Sequence, residues 1–173
     1  MKEIRYFSAT DFKCFMKSLG FTSYKWNRMM AYSAIPNSDF AVISIGNPEY
    51  LKDVDNDKDL WANGINNHWL PNCFENVLNI DFSDNGEEDF ESLNEEGAQE
   101  IIDFIIKNEN KSKFYIHCSA GISRSGAVSS VIYDFFKRCG EDVKIYPNYP
   151  KTPNYHVRNL LNNKLYKEKK FGE

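Results

Sequence analysis

The sequence predicts an α/β layer fold, with a central, mostly parallel sheet flanked by helices. Three observations predict it. Two short apolar, β-branched runs, FAVISI (40–45) and VLNIDF (77–82), read as strands and are each stopped by turn residues. Two longer segments, within 98–106 and 124–136, carry apolar residues at helical spacing. Strands and helices then alternate along the chain, the order expected of a parallel sheet covered by helices.

Each element has its own signals. Residues 10–19 read as a short helix, because Phe12, Phe15, Met16 and Leu19 fall at i, i+3, i+4 and i+7; Thr10 is the expected cap and Gly20 the expected stop. FAVISI ends at Gly46-Asn47-Pro48. Residues 47–76 are rich in Asn, Asp, Gly and Pro and read as a long surface excursion with at most a short helix. VLNIDF ends at Ser83-Asp84-Asn85-Gly86. Ser92-Leu93-Asn94-Glu95 matches a capping box, and Ala98, Ile101, Ile102, Ile105 and Ile106 follow as an apolar stripe. Lys113–Ile116 reads as a strand with His117-Cys118 at its C-terminal end. A helix begins near Arg124 and buries Ala127, Val128, Val131, Ile132, Phe135 and Phe136 before Gly140 ends it. After the turn-rich YPNYPKTP comes a last helix, capped by Asn154, with Val157, Leu160, Leu161 and Leu165 inward.

Composition bounds the function. The chain has 173 residues, which fits one domain over 1–173, with neither repeats nor low-complexity tracts to divide it. Twenty-one basic against 25 acidic residues leave a net charge of -4, which argues against nucleic acid or an anionic membrane as partner. No apolar run is long enough to span a membrane, and the N-terminal MKEIRYFSATDF lacks a signal-peptide core. Cys14, Cys73, Cys118 and Cys139 form no CxxC pair, so the expectation is reduced thiols in the cytoplasm.

The chemistry is concentrated in IHCSAGISRSGAV, residues 116–128. A strand feeds a tight loop of small residues, and the loop feeds an amphipathic helix. Inward-pointing amides of Ser119, Ala120, Gly121, Ile122, Ser123 and Arg124, above a helix N-terminus, would make an anion nest suited to phosphate. The planar guanidinium of Arg124 can grip two phosphate oxygens at once. Cys118 would feel the same positive field, and helix N-termini with nearby cations lower a thiol's pKa from its usual value of about 8.5. Nucleophile and phosphate cradle would then share one loop.

Cys-x5-Arg alone is weakly specific, but the whole string HCSAGISRSG is far rarer. It resembles the signature of the cysteine-dependent protein tyrosine phosphatases, and most closely that of their dual-specificity branch. The resemblance is close over 113–136 and looser over 77–165; residues 1–70 carry no matching motif. The string is not a Walker P-loop, which needs Gly-Lys-Ser/Thr. Nor does the chain resemble the low-molecular-weight tyrosine phosphatases, whose Cys-x5-Arg lies near the N-terminus. The loop interior is neutral, without the basic residues of the superfamily's phosphoinositide phosphatases, which favours a phosphoprotein substrate.

The resemblance implies a single-domain tyrosine-phosphatase-like fold and a two-step reaction without metal or cofactor. Cys118 attacks phosphorus to give a phosphocysteine, while loop amides and Arg124 hold the equatorial oxygens. A carboxyl protonates the leaving oxygen, and Ser125 donates to the sulfur as it departs. His117 supports the loop rather than transferring protons. Asp84, just past the strand on a Ser-Asp-Asn-Gly turn, is the expected acid. Asp81 lies within the strand pattern and is the second candidate, ahead of Glu87, Glu88 and Asp89. The expected protein is a monomer acting on phosphorylated protein. The alternatives are a phospho-binding pseudophosphatase, or a superfamily enzyme acting on inositol phosphates or RNA 5′-triphosphate.

For the remaining residues the plainer readings stand. His68 and His156 are expected at the surface or at caps, and Cys14 and Cys139 in the core. Trp26, Trp61 and Trp69 are expected to pack, and Lys164–Lys170 to be a solvated helix end. Cys73 pairing with Cys118 on oxidation is a minor reading. The chain carries no aromatic recognition motif ahead of the nucleophile, which points to a shallow pocket, though Tyr24, Trp26, Tyr32 and the 47–76 segment could wall a deeper one.

Overall fold

The computed structural model describes residues 1–20, 35–48, 68, 70, 74–86 and 91–168. In chain order these form β1 (Lys2–Ser8), α1 (Ala9–Ser18), β2 (Phe40–Gly46), β3 (Val77–Asp81), α2 (Glu95–Lys107), β4 (Lys113–Cys118), α3 (Arg124–Arg138), β5 (Val143–Tyr146) and α4 (Tyr155–Glu168). The strands make one sheet in the order β3-β2-β4-β1-β5, and every pairing is parallel. The expected α/β class is therefore the observed one. None of the described helices is long and apolar enough to cross a membrane.

Strand alternation splits the core across the sheet. Ala41, Ile43 and Ile45 of β2, Leu78 and Ile80 of β3, and Phe114, Ile116 and Cys118 of β4 join the apolar stripes of α2, α3 and α4 on one face. Phe40, Val42, Val77 and Tyr115 face the other way, with Phe12 and Met16 of α1 and with Ile35 and Leu70. Covered on both faces, β2 is buried along its whole length, which is why it reads as an unbroken apolar run.

β1 and β5 have no such run and were not legible in advance. In β1, KEIRYFS, Lys2 and Ile4 are buried and the remaining positions only partly so. The strand is held by its ladders to β4 and β5. The buried Lys2 ammonium donates to the carbonyls of Glu109 and Lys111, so its charge is satisfied.

Several boundaries differ from expectation for local reasons. Ser8, not Thr10, caps α1, accepting a hydrogen bond from the Asp11 amide at 3.1 Å. Leu19 is the C-cap and is exposed, beside Gly20 at φ 103°. The capping box does not form: Asn94 caps α2 by accepting from the Gly97 amide at 2.8 Å, and Glu95 is its first residue. Leu93, just outside the cap, enters the core alongside Ala98, the staple arrangement that this start favours. Ile106 is only partly buried. β4 runs through His117 and Cys118 instead of ending at Ile116. Cys14 and Cys139, expected in the core, are exposed. In α4 the expected cap holds, with the Val157 amide donating to Asn154 Oδ1 at 3.1 Å.

The connection leaving β1 leads across β4 to β2, and the one leaving β4 leads across β1 to β5. The helices that follow these two neighbouring strands cover opposite faces of the sheet, α1 one and α3 the other, which opens a crevice at the strands' C-terminal ends, where open α/β sheets bind ligands. Ser8 and Cys118 face each other there, as the last residues of their strands.

Candidate active site

Cys118 ends β4 and is 2% exposed. Residues 119–123 turn the chain into α3, and the turn is pressed against the β1–α1 junction. Gly121 has φ +71°, and a Cβ there would overlap the Ser8 amide nitrogen and the Phe7 carbonyl carbon. The Ala9 amide donates to the Ser119 carbonyl at 3.1 Å, pinning the start of the turn to the same junction. The turn folds back on the sulfur: the Gly121 amide donates to Cys118 Sγ at 3.3 Å, and Ser125 Oγ lies 3.2 Å from Sγ. Ser123 stands at the N-cap of α3 without a side-chain hydrogen bond to the first turn. Ala120 and Ile122 are exposed at the turn's outer edge.

Arg124 is 4% exposed, although it bears a full charge. Its Nη1 donates to Gly46 O at 3.2 Å, Asn47 Oδ1 at 2.8 Å and Phe82 O at 2.8 Å, and its Nη2 to Ser119 Oγ at 3.1 Å. The guanidinium is thus fixed by the C-terminal ends of β2 and β3 and by the loop itself. Its Nε is buried and has no hydrogen-bond partner among the described residues. A charged donor left over in this way suits an anionic oxygen.

Asp84 is exposed on the turn after β3, and its Oδ1 accepts from Asn154 Nδ2 at 2.9 Å. Asn154 Nδ2 also donates to Asn85 O at 3.0 Å, and the Asn154 amide donates to Ser123 O at 3.0 Å. One buried residue therefore ties the Asp84 turn to the loop between Cys118 and Arg124 while capping α4. Asp81 is engaged elsewhere: its Oδ1 lies 2.8 Å from His68 Nε2. Glu87, Glu88 and Asp89 lie outside the described residues, as do Cys73, the three tryptophans, Tyr24 and Tyr32.

His117 lies beneath the loop. Its ring stacks on Phe12 with centroids 4.5 Å apart, and its Nε2 is 2.6 Å from Ser44 Oγ. Burial pushes its pKa down to about 3, helped by repulsion from His68 and Arg124 and opposed by the nearby Cys118 backbone. The ring is neutral across the physiological range, which fits a support and not a proton carrier. His68 is not the surface residue expected: its side chain is 15% exposed and bridges Asp81 and Ser44.

Cys118, Arg124, Ser125 and His117 are thus brought together with loop residues Ser119, Gly121 and Ser123, and Asp84 is tethered to the same loop. The sequence reading missed the partners that fix them: Gly46, Asn47, Ser44, His68, and Asn154 in its second role. Ser44 left a signal, as the one polar side chain inside the buried run FAVISIG. Among the described residues no group of three His, Cys, Asp or Glu side chains is arranged to hold a metal ion. Comparison with protein-family models finds no match, and neither curated proteins nor solved structures give a significant one.

Proposed function

We propose that this chain is a cysteine-dependent phosphoprotein phosphatase that hydrolyses phosphotyrosine, and phosphoserine or phosphothreonine, through a phosphocysteine intermediate. The observation that carries this is the buried guanidinium of Arg124. It is clamped through both terminal nitrogens, its Nε is unpartnered among the described residues, and it belongs to the loop that begins at the Cys118 sulfur.

In this reading the phosphoryl group sits in the loop, with loop amides and Arg124 on its equatorial oxygens. Those donors act most strongly as the phosphorus becomes trigonal, so they lower the barrier more than they tighten ground-state binding. The Cys118 sulfur bonds to phosphorus as the ester oxygen leaves, and Asp84 delivers the proton that oxygen needs. A water then attacks the phosphocysteine and gives its proton to the Asp84 carboxylate. The S–P bond breaks, inorganic phosphate leaves, and Ser125, 3.2 Å away, donates to the departing sulfur. Ile122, 56% exposed, offers an apolar contact to the substrate at the outer edge of an otherwise neutral loop.

The test is turnover of p-nitrophenyl phosphate. Phosphotyrosine, phosphothreonine and phosphoserine peptides, inositol phosphates and RNA 5′-triphosphate follow, each with and without chelator. Turnover of the aryl phosphate and the peptides is expected, insensitive to chelator and blocked by vanadate. Cys118→Ser should abolish turnover while still binding phosphotyrosine peptide. Wild-type protein that binds phosphopeptide without turning it over would make this an interaction module. Preference for inositol phosphates or RNA would change the substrate class.

A further inference from the structure

β1 outruns its partner at the edge of the sheet. β5 ends at Tyr146, opposite Arg5, while β1 continues through Tyr6 and Phe7 to Ser8, which pairs with Cys118. The chain leaves β5 at Pro147, so no described strand lies beside the last residues of β1 on that side. The space left there is a cleft of about 500 Å³ lined by Arg5, Tyr6, Phe7, Asp11, Tyr146 and Pro147. It adjoins the candidate active site through the backbone. Gly121 of the loop packs on Phe7 and Ser8, and the Asp11 amide donates to Ser8 Oγ at 3.1 Å. Neighbouring strands lie about 4.8 Å apart and rise about 3.3 Å per residue, so the Cα atoms of Phe7 and Arg5 are about 6 Å and about 11 Å from that of Cys118.

The lining combines apolar walls with two opposite charges. Three aromatic residues and a proline supply the walls, and Tyr146 is 37% exposed in a chain whose other strand residues are mostly covered. Arg5 is held in place: its Cζ lies 4.8 Å from the Tyr146 ring centroid and 5.7 Å from that of Phe15, and its Nε donates to Glu3 Oε1 at 2.6 Å. Its two terminal nitrogens have no hydrogen-bond partner among the described residues, and Arg5 and Asp11 share the cleft without an ion pair between them. A guanidinium only donates and a carboxylate only accepts, so the group that serves both at once is a hydroxyl. The charges discriminate further. Asp11 repels an acidic side chain and Glu3 already offsets Arg5, while Arg5 repels a basic one. An aliphatic side chain would cover both charged groups without pairing either. A phenol meets every wall: its ring packs on the aromatic residues, and its oxygen accepts from Arg5 and donates to Asp11.

We propose that this cleft is a substrate subsite for an unphosphorylated tyrosine of the phosphoprotein, about three residues from the phosphorylated one, with its ring against Phe7 and Tyr146 and its hydroxyl between Arg5 and Asp11. The spacing follows from reach: an extended peptide covers the roughly 10 Å from loop to cleft in about three residues. The proposal rests on the phosphatase reading, because the loop is what anchors the peptide beside the cleft.

The test is kcat/KM of the full chain on alanine-based peptides with a central phosphotyrosine, in which tyrosine, phenylalanine, glutamate or lysine is moved through the flanking positions. Tyrosine at one position, two to four residues from the phosphotyrosine, should exceed alanine there about tenfold and phenylalanine about threefold, since a site built to pair a hydroxyl penalises the analogue that lacks it. Glutamate and lysine should gain nothing. The readout in variants is the tyrosine-to-alanine ratio within each one, so a general loss of activity cancels. Arg5→Met and Asp11→Ala should each reduce the tyrosine advantage to that of phenylalanine, and Tyr146→Ala should remove both. Turnover without a tyrosine preference at any position, an equal preference for glutamate or lysine, or a tyrosine advantage that survives all three variants overturns the subsite and leaves the phosphatase reading standing. Absence of turnover on these peptides and on p-nitrophenyl phosphate sinks the phosphatase reading instead. The same peptides are then compared by fluorescence anisotropy, where a tyrosine preference that Arg5→Met weakens keeps the subsite and equal binding of all peptides overturns it.

Discussion

Gly121→Ala places a side chain where the loop meets the β1–α1 junction. Two costs follow. The first is conformational: at φ +71° an L-residue is strained by about 1–2 kcal/mol. The second is steric: the new Cβ would overlap the Ser8 amide and lie 2.8 Å from the Phe7 oxygen, inside ordinary contact distance, and both are backbone atoms of a strand paired on both sides. The loop must move away, and the Ala9–Ser119 hydrogen bond, worth about 1 kcal/mol, is lost as it does. Together these predict a loss of about 2–4 kcal/mol in urea denaturation. The same displacement moves the Gly121 amide from Cys118 Sγ, and misplacement by about 1 Å costs roughly 10²-fold in rate. The assay pairs urea melts with kcat/KM on p-nitrophenyl phosphate. Gly20→Ala is the control: its φ of +103° brings strain, but nothing lies within 4 Å of the added Cβ, so about 1–2 kcal/mol should be lost with kcat/KM unchanged. A Gly121→Ala protein as stable and active as wild type, or one no worse than Gly20→Ala, would refute the reasoning.

Other perturbations follow from the same geometry. Arg124→Lys keeps the charge but loses the fork that Gly46, Asn47, Phe82 and Ser119 orient, so kcat/KM should fall at least ~10²-fold; an unchanged value would contradict the assigned grip. Asp84→Asn should cost ~10²–10⁴ in kcat on phosphotyrosine and less on an aryl phosphate with a more acidic leaving group, whereas Asp81→Asn should show no such leaving-group dependence; the opposite pattern would move the acid to Asp81. Asn154→Ala removes both the tether on Asp84 and the cap on α4, so it should lower kcat and cost about 1 kcal/mol of stability, seen by stopped assay and thermal melt. His117 gives a pH signature. Its folded pKa is lowered to about 3 from 6.5, so below 6.5 the unfolded chain binds a proton that the folded chain does not. Stability is therefore lost as pH falls from 6.5, by up to about 1.4 kcal/mol per pH unit, and denaturation midpoints for His117→Asn should fall less steeply than for wild type.

Legibility tracked how local each signal was. The loop 118–124 was readable because the cysteine, the small residues and the arginine are contiguous, so the whole turn is built from neighbours in sequence. The long helical stripes were readable because burial on one face repeats every turn. β1 and β5 were not: β1 is held by ladders on both sides and does not need an apolar run of its own, and β5 is an edge strand of four residues, too short to show a pattern. The start of α2 was misread because Ser92 and Asn94 are both competent caps, and the choice fell to Leu93 entering the core.

The sequence by itself determined the α/β class, the loop with its cysteine and arginine, and the short turn that carries Asp84, because each depends on residues close together along the chain. Only the tertiary structure decided the order β3-β2-β4-β1-β5 and what that order brings together. Parallel register set Ser44 beside His117, and the ends of β2 and β3 beside the Arg124 guanidinium. The packing of α4 carried Asn154 between Asp84 and Ser123. These contacts join residues dozens of positions apart, and one polar side chain in a strand or at a cap looks the same in sequence whatever it faces. What it faces is settled when the apolar faces of the sheet and helices close on one another.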